Sequence, residues 1–202
     1  MPNHCFYSAR IVGRRKCNVK RFLAILKYQD TGFKPKDGKE GLYFCRTFDA
    51  VCENGILKDG KLYYADVFGD VAWSIASCWL DGEQTYANDR NNHRWPNGIP
   101  ENREYEDAYG RKVIANYVIT APDVCKLLGC AIEIWSSEPG MGFQEHYLID
   151  PDGSMTITEV VGWTEAEIDE NTGEPVPNTE AGGFEDFGDI RDPEALYGRD
   201  LR

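Results

Sequence analysis

The chain has 202 residues, of which 28% are charged, and its formal net charge is −12 at pH 7. This length suits one domain of ordinary size with a tail or an insertion. No run approaches 18 apolar residues, and residues 1–6 lack the features of a secretory signal. The sequence therefore excludes an obvious membrane-spanning helix and predicts a cytoplasmic protein.

The charge is distributed unevenly along the chain. Residues 1–46 have a balance of +8, residues 47–163 of −11, and residues 164–202 of −9. Such asymmetry bears on solubility and on partners rather than on the fold. One interpretation is a solvated surface with a disordered end. The other is an acidic surface that competes with nucleic acid for a basic partner.

Cysteine and histidine spacing gives no sign of a disulfide framework or a metal site. The seven cysteines are odd in number, widely spaced and without a Cys-x-x-Cys pair, which predicts reduced and mostly buried thiols. The three histidines, His4, His93 and His146, are also far apart. Zinc ligands normally occur at short, regular spacings. We therefore predict no metal and no cofactor.

The chain begins with a strand followed by a helix. Residues 6–12 are rich in strand-forming side chains, and Gly13 ends them. A helix is predicted next, with Asn18 as its N-cap and with apolar residues at helical spacing: Val19, Phe22, Leu23 and Leu26. Extended segments are predicted at residues 42–45, 48–52 and 62–67. Gly69 and Asp70 then predict a turn, and residues 71–79 a further strand.

The second half begins with polar sequence. Residues 81–112 contain five asparagines and two prolines, which predicts a loop or an insertion. A second helix follows, capped by Thr120, with Pro122 in its first turn and Gly129 at its end. Strands are predicted at residues 131–137, 143–150 and 155–163. A Glu-Pro-Gly-Met-Gly-Phe hairpin and an Asp-Pro-Asp-Gly turn separate them.

The order strand, helix, strands, helix, strand predicts an α+β fold of the ferredoxin-like, split βαβ type. We expect an antiparallel sheet, two helices on one face, an added C-terminal hairpin and an acidic tail. The domain would span residues 1–163, with the insertion at about 81–112. Residues 164–202 have the acidic, Pro- and Gly-containing composition of a flexible tail.

Two motifs resemble a known family. The opening Met-Pro-Asn-His-Cys-Phe of residues 1–6 and the Glu-Pro-Gly-Met-Gly-Phe of residues 138–143 resemble, in this order, the motifs of the YubB-like plasmid and phage proteins. His4 stands where that family usually has Trp. The resemblance implies a ferredoxin-like domain that is encoded by a mobile element. It carries no established catalytic residues to transfer.

The charge pattern and the resemblance together predict a non-enzymatic phage or plasmid accessory protein in a bacterial cytoplasm. It would bind a basic, nucleic-acid-handling host protein through acidic surfaces, as an anti-CRISPR-like, anti-defence inhibitor that mimics nucleic acid. The candidate protein-binding residues are acidic side chains of the tail: Glu165, Glu167, Asp169, Glu170, Glu185, Asp186 and Asp189. Salt should weaken such a complex.

Two alternatives use other parts of the chain. A small hydrolase or nucleotide-handling enzyme would use Glu138, Glu145 or His146. Adjacent strand residues point to opposite faces, however, so Glu145 and His146 should diverge. An RNA- or DNA-binding module would use the basic segment, which we define as Arg14, Arg15, Lys16, Lys20 and Arg21. The net charge of −12 and the lack of an RNP-type aromatic motif disfavour direct nucleic-acid binding.

Overall fold

The computed structural model describes residues 4–27, 42–80, 93–94, 104–106, 112–114, 117–138, 143–161 and 189–198. The first half contains β1 (His4–Gly13), α1 (Lys16–Leu26), β2 (Leu42–Tyr43), β3 (Thr47–Val51), β4 (Leu57–Asp59), β5 (Leu62–Ala72) and a π-helical turn (Ala76–Leu80). The second half contains β6 (His93–Arg94), β7 (Glu104–Glu106), β8 (Lys112–Ile114), β9 (Tyr117–Val118), α2 (Ala121–Leu128), β10 (Cys130–Glu138), β11 (Phe143–Ile149), β12 (Met155–Val161) and α3 (Pro193–Tyr197).

The main sheet has seven strands. Six of them run in the order β12-β11-β10-β1-β5-β3, and β4 also pairs with β5. Every pairing in this sheet is antiparallel. The described part of the chain also holds a small parallel sheet, β2-β9-β6, and the antiparallel pair β7-β8. The prediction of an α+β fold with an antiparallel sheet is therefore confirmed at this level.

The core lies between one sheet face and the two longer helices. Alternate residues of β1, from Cys5 through Tyr7 to Ile11, are buried on this side because strand side chains alternate between faces. Buried residues of α1 and α2, such as Phe22 and Leu128, belong to the same cluster. No helix of the described residues is both long and apolar enough to cross a membrane.

Aromatic rings fill the centre of this core. The indole of Trp79 is fully buried and donates a hydrogen bond of 3.0 Å to the hydroxyl of Thr47. Phe44 stacks on Trp79 at 5.0 Å between ring centroids, and Tyr7 meets the same indole edge-on at 4.7 Å. The π-helical turn that carries Trp79 is thereby fixed against β1 and β3.

The residues between positions 69 and 79 do not follow the sequence prediction. Gly69 does not make a turn, because β5 runs without interruption to Ala72. A Cβ at Gly69 would stand 2.1 Å from the backbone oxygen of Asp49, so glycine permits a close approach of β3 where its register shifts. The predicted strand at 71–79 is also wrong. The chain leaves the sheet at Trp73, which has a φ of 68°, and then forms the π-helical turn. The prediction failed because a short apolar run in the sequence does not distinguish a strand from a buried helical segment.

One of the two predicted helix caps is present. Thr120 caps α2 by accepting a hydrogen bond from the amide of Asp123, and Gly129 ends the helix with φ of 58°. In contrast, the N-cap of α1 is Arg15, which makes no capping bond. Asn18 instead donates 2.6 Å to the carbonyl of Leu128 and so ties α1 to the end of α2.

The C-terminal hairpins form as predicted. Glu138 and Phe143 are register partners in β10 and β11, and the four residues between them lie outside the described chain. The next turn closes with a hydrogen bond of 2.9 Å from the amide of Gly153 to the carbonyl of Asp150. Most of the predicted insertion, residues 162–163 of the predicted domain, and residues 164–188 and 199–202 of the predicted tail also lie outside the described residues.

Candidate functional site on the open face of the sheet

The sheet face opposite α1 and α2, which we call the open face, carries many polar and aromatic residues of the strands. On β1 these are alternate residues: His4, Phe6, Ser8, Arg10 and Val12. Their register partners are Ser137, Trp135, Glu133 and Ala131 on β10 and Asp70, Phe68, Asp66 and Tyr64 on β5. Residues directly opposite in an antiparallel pair share a face. The sheet therefore gathers these side chains on one surface.

Residues 189–198, which we call the strap, cover one end of the open face. Leu196 of α3 is fully buried in a small apolar cluster with Val12, Ala131 and Leu148. Tyr197 donates a hydrogen bond of 3.0 Å to the carbonyl of Gly129. The strap belongs to the predicted tail. This portion of the tail is thus ordered against the sheet rather than extended into solvent.

Glu133 is the polar anchor beneath the strap. Only 1% of it is exposed, and its Oε2 accepts a hydrogen bond of 2.8 Å from the backbone amide of Arg191. Its Oε1 lies 2.8 Å from Nε2 of His146 and 3.8 Å from Nε of Arg191. Buried carboxylates need such partners, because leaving an ionised group unpaired away from water is costly.

Arg10 holds the other side of the strap backbone. Its guanidinium makes two hydrogen bonds to the carboxylate of Asp66, at 2.6 and 2.9 Å, and donates a third of 2.9 Å to the carbonyl of Arg191. The hydrogen bonds to Asp66 raise the pKa of Arg10. Arg10 and Glu133 are register partners. They therefore grip the carbonyl and the amide of the same strap residue.

The histidine of the predicted enzyme hairpin pairs with a different glutamate from those expected. His146 stacks on Trp135, with ring centroids 3.7 Å apart and planes at 6°, and bonds to Glu133. Glu145 lies on the helix side, where it accepts hydrogen bonds from the amide of Ile75 and the hydroxyls of Ser136 and Tyr147, the last at 2.9 Å. The predicted divergence of Glu145 and His146 is confirmed.

This arrangement does not assemble the predicted acid/base group. Glu138, Glu145 and His146 are each no more than 5% exposed, and the two glutamates share the face opposite His146. Burial and the neighbouring carboxylate of Glu145 raise the pKa of Tyr147. Glu145 links β11 to β10 and to the residues after β5, and Glu133 links β10 to β11 and to the strap. Both glutamates therefore have a structural role.

The other half of the open face exposes large aromatic side chains. Phe6 on β1 is 51% exposed, Phe68 on β5 is 44% exposed and Phe48 on β3 is 39% exposed. We call these three residues the aromatic patch. The ring of His4 lies 5.1 Å from that of Phe48, and His4 also contacts the carboxylate of Asp70. Phe6 and Phe68 are diagonal neighbours on adjacent strands and form the centre of the patch.

Acidic and cationic groups border the aromatic patch. Asp49 is exposed on β3 and is the register partner of Asp70 on β5. Beyond the end of β5, Trp73 is 41% exposed, and the guanidinium of Arg46 lies 4.1 Å from its ring centroid. Aromatic centres with polar rims are typical of protein interfaces.

The predicted nucleic-acid-binding residues are accessible but lie away from the patch. All five residues of the basic segment are exposed, where β1 ends and α1 begins. The patch residue Phe6 lies near the opposite end of β1. The guanidinium of Arg14 lies over the ring of Tyr197, at 5.4 Å from its centroid. The strap therefore contacts part of the basic segment.

Of the seven predicted protein-binding acids, the structure describes Asp189, which is exposed at the start of the strap. The six others lie outside the described residues. Because the strap packs against Arg10 and Arg14, part of the acidic tail lies against the chain's own basic groups. This contact argues against the prediction that the whole tail is a free acidic mimic of nucleic acid. The open face is the other exposed surface that could bind a partner.

The described residues contain no group of three His, Cys, Asp or Glu side chains that could hold a metal ion. The cysteines are all free, and five of the seven are buried, as predicted. Burial raises the pKa of the thiols of Cys5, Cys78 and Cys130 to about 12. These thiols are poor nucleophiles at neutral pH, since the thiolate is the reactive form.

We expect alkylation of the native protein at pH 8 to modify Cys17, which is exposed, and to spare Cys5, Cys78 and Cys130. With a pKa near 12, roughly one buried thiol in 10,000 is ionised at that pH, and access is blocked as well. Peptide mass spectrometry after iodoacetamide treatment measures this. Fast labelling of Cys130 without unfolding would contradict the described packing, and labelling in denaturant is the control.

Sequence reasoning did not single out Glu133, Trp135, Phe68 or Arg191 as functional residues. The alternation in residues 131–135 contains a usable signal, because it places Glu133 and Trp135 on one face of a strand. No local pattern, however, reveals that Arg191 returns to that strand from 58 residues away. Only the strand order brings Phe6 and Phe68 together.

Comparison of the chain with models of protein families, with curated proteins and with solved structures found no match. The resemblance to the YubB-like proteins rests on the two short motifs in residues 1–6 and 138–143. Membership of that family therefore stays a prediction, and the open face is the feature from which a function can be inferred.

Proposed function

We propose that this is a non-enzymatic binding protein that engages another protein through the aromatic patch of its open face. The observation that carries the proposal is the joint exposure of Phe6, Phe48 and Phe68 on neighbouring strands. Single exposed apolar residues are common, but adjacent large ones mark interaction sites. Aromatic side chains supply much of the binding energy at such sites.

We also propose the ferredoxin-like arrangement for the central part of the sheet. The strand order β10-β1-β5-β3 supports it, with α1 placed after β1 and α2 after β5. In a split βαβ sandwich the helices cover one sheet face and leave the other available. The β11-β12 hairpin extends the sheet beyond this unit. The fold thus supplies a rigid platform for the patch.

The charge around the patch favours a basic protein as the partner. Asp49 and Asp70 lie on the strands that carry the patch, and the whole chain has a net charge of −12. A partner with apolar side chains inside a basic rim would match both features. Exposed aromatic rings on a sheet also stack with nucleic-acid bases, but carboxylates so close by would repel the phosphates.

The finer proposal is that the partner is a nucleic-acid-handling host protein and that this chain is a phage or plasmid anti-defence inhibitor. The acidic composition and the resemblance of the two motifs support it. In this view the acidic residues of the tail add long-range attraction to a contact centred on the patch. The patch supplies specificity, and charge accelerates the encounter.

Replacing Phe6 and Phe68 together with alanine should weaken partner binding by roughly 30-fold or more, since truncating a hot-spot residue costs about 2 kcal/mol. Both side chains are about half exposed, so the melting temperature should change little. Affinity capture from bacterial lysate identifies the partner, and titration calorimetry with the purified partner gives the affinity. Leu127→Ala is the matched control, because Leu127 is 43% exposed on α2, on the other side of the sheet.

The outcomes separate the candidate functions. A partner that binds the wild type and the Leu127→Ala variant but not the double variant supports the proposal. Equal retention by all three proteins would contradict it. A gel shift with single-stranded nucleic acid at low salt, lost in the double variant, would replace the protein partner with a nucleic acid.

A further inference from the structure

We infer that the strap is a detachable, autoinhibitory cover and that its release extends the binding face along β1. The inhibitory role rests on the proposed function, whereas detachment does not. The strap occupies one end of the open face, and the aromatic patch occupies the other. Val12, Arg10 and Phe6 lie on one line along this face, so the two halves are continuous.

The strap is ordered by the sheet rather than by its own structure. Its helix, α3, has five residues, and helices this short are not stable alone in water. Within the strap, Pro193 and Leu196 are the buried residues, and Leu196 enters the cluster of Val12, Ala131 and Leu148. An anchor this small is typical of segments that open locally without unfolding of the domain.

The groups that hold the strap backbone each keep a hydrogen-bonded partner on the sheet when the strap leaves. Glu133 keeps its hydrogen bond to His146, and Arg10 keeps its two hydrogen bonds to Asp66. Detachment removes the two contacts of Glu133 with Arg191, but it also opens that carboxylate to water, so the lost bonds can be replaced by solvent. The stack of His146 on Trp135 also holds the histidine in place. The site beneath the strap is preformed.

These contacts define the kind of segment that would take the place of the strap. Glu133 accepts a backbone amide, Arg10 donates to the carbonyl of the same residue, and the apolar cluster takes a leucine-sized side chain five residues later. A partner peptide that offers one backbone amide and carbonyl to Glu133 and Arg10, and then a short helix with Leu five residues later, fits this pattern. Such a peptide would continue along β1 onto the aromatic patch.

Hydrogen exchange of the full-length protein tests detachment directly. The amide of Arg191 donates to Glu133 and that of Leu196 to the carbonyl of Asp192, so both are protected while the strap is closed. We expect both to exchange at least about 100-fold faster than the amides of central β1, through local opening. Exchange at the same slow rate as β1 would mean that the strap opens only on global unfolding, which would overturn the inference.

Leu196→Ala removes the apolar anchor, and Leu127→Ala is the matched control, since Leu196 is fully buried and Leu127 is 43% exposed. We expect Leu196→Ala to speed exchange at Arg191 about 10-fold with β1 unchanged, and to bind the partner recovered in the capture experiment more tightly. Faster exchange with unchanged or weaker binding would overturn the inhibitory role. If the variant fails to fold, the wild-type exchange rates still decide detachment.

The two proposals fail in different ways. If alanine at Phe6 and Phe68 leaves binding intact, the proposed function is wrong, and the exchange rates of the strap remain a separate result. If the strap amides exchange hydrogen only as slowly as the amides of β1, the inference of detachment is wrong, while the aromatic patch keeps its proposed role.

Discussion

Gly69→Ala is expected to destabilise the protein strongly, although it adds only one methyl group. The new Cβ would lie 2.1 Å from the backbone oxygen and 2.6 Å from the backbone carbon of Asp49. Atoms of a paired strand cannot rotate away as the end of a side chain can, so β3 must move from β5. Overpacking in a core typically costs about 1–3 kcal/mol, and we expect about 3 kcal/mol because backbone must shift.

A loss of this size lowers the melting temperature of a chain of this length by roughly 6–12 °C. Differential scanning calorimetry measures it. Gly198→Ala is the matched control, since Gly198 has an ordinary φ of −79° and a Cβ there meets nothing within 4 Å. An unchanged melting temperature for Gly69→Ala would show that β3 and β5 are not paired as described.

Glu145→Ala should also be strongly destabilising, although the sequence alone offers Glu145 as a candidate catalytic residue. Its carboxylate accepts hydrogen bonds from the amide of Ile75 and from the hydroxyls of Ser136 and Tyr147, and 5% of the residue is exposed. Removing the carboxylate leaves these three buried donors without their hydrogen-bond acceptor. Each unsatisfied buried donor costs about 1–3 kcal/mol, so we expect a loss of about 4 kcal/mol.

Urea unfolding followed by circular dichroism gives the free energy of unfolding for this comparison. Glu53→Ala is the control, because Glu53 is an exposed glutamate and its loss should change stability by about 0.5 kcal/mol or less. Glu145→Gln keeps one acceptor oxygen and should fall between the two. A stable Glu145→Ala protein that has lost its biological effect would instead revive the enzyme hypothesis.

Both predictions concern the region where β5 ends and the chain continues into the π-helical turn. Gly69 lets β3 approach β5, and Glu145 receives the amide of Ile75 just after β5 ends. Through β5 these contacts set the position of Phe68. A defect at either site should therefore weaken binding indirectly, which is why the test of the patch uses exposed side chains.

The sequence by itself determined the secondary structure wherever local chemistry was sufficient. The alternation in β1, the cap at Thr120 and the positive φ at Gly129 and Gly153 follow from residue type alone. For the same reason the divergence of Glu145 and His146 was predictable, because neighbouring strand residues face opposite sides. Composition also indicated mostly buried, free thiols.

The tertiary structure decided everything that depends on which segments meet. Gly69 looked like a turn because its true constraint, the backbone of Asp49, is distant in sequence. His146 bonds to Glu133 rather than to its chain neighbour Glu145, because the register of β10 and β11 places His146 and Glu133 on the same face. The strap reached the sheet through Arg191, and Phe6 met Phe68 across β1 and β5. Long-range pairing, which local propensity does not encode, assembled the surface on which the proposed function rests.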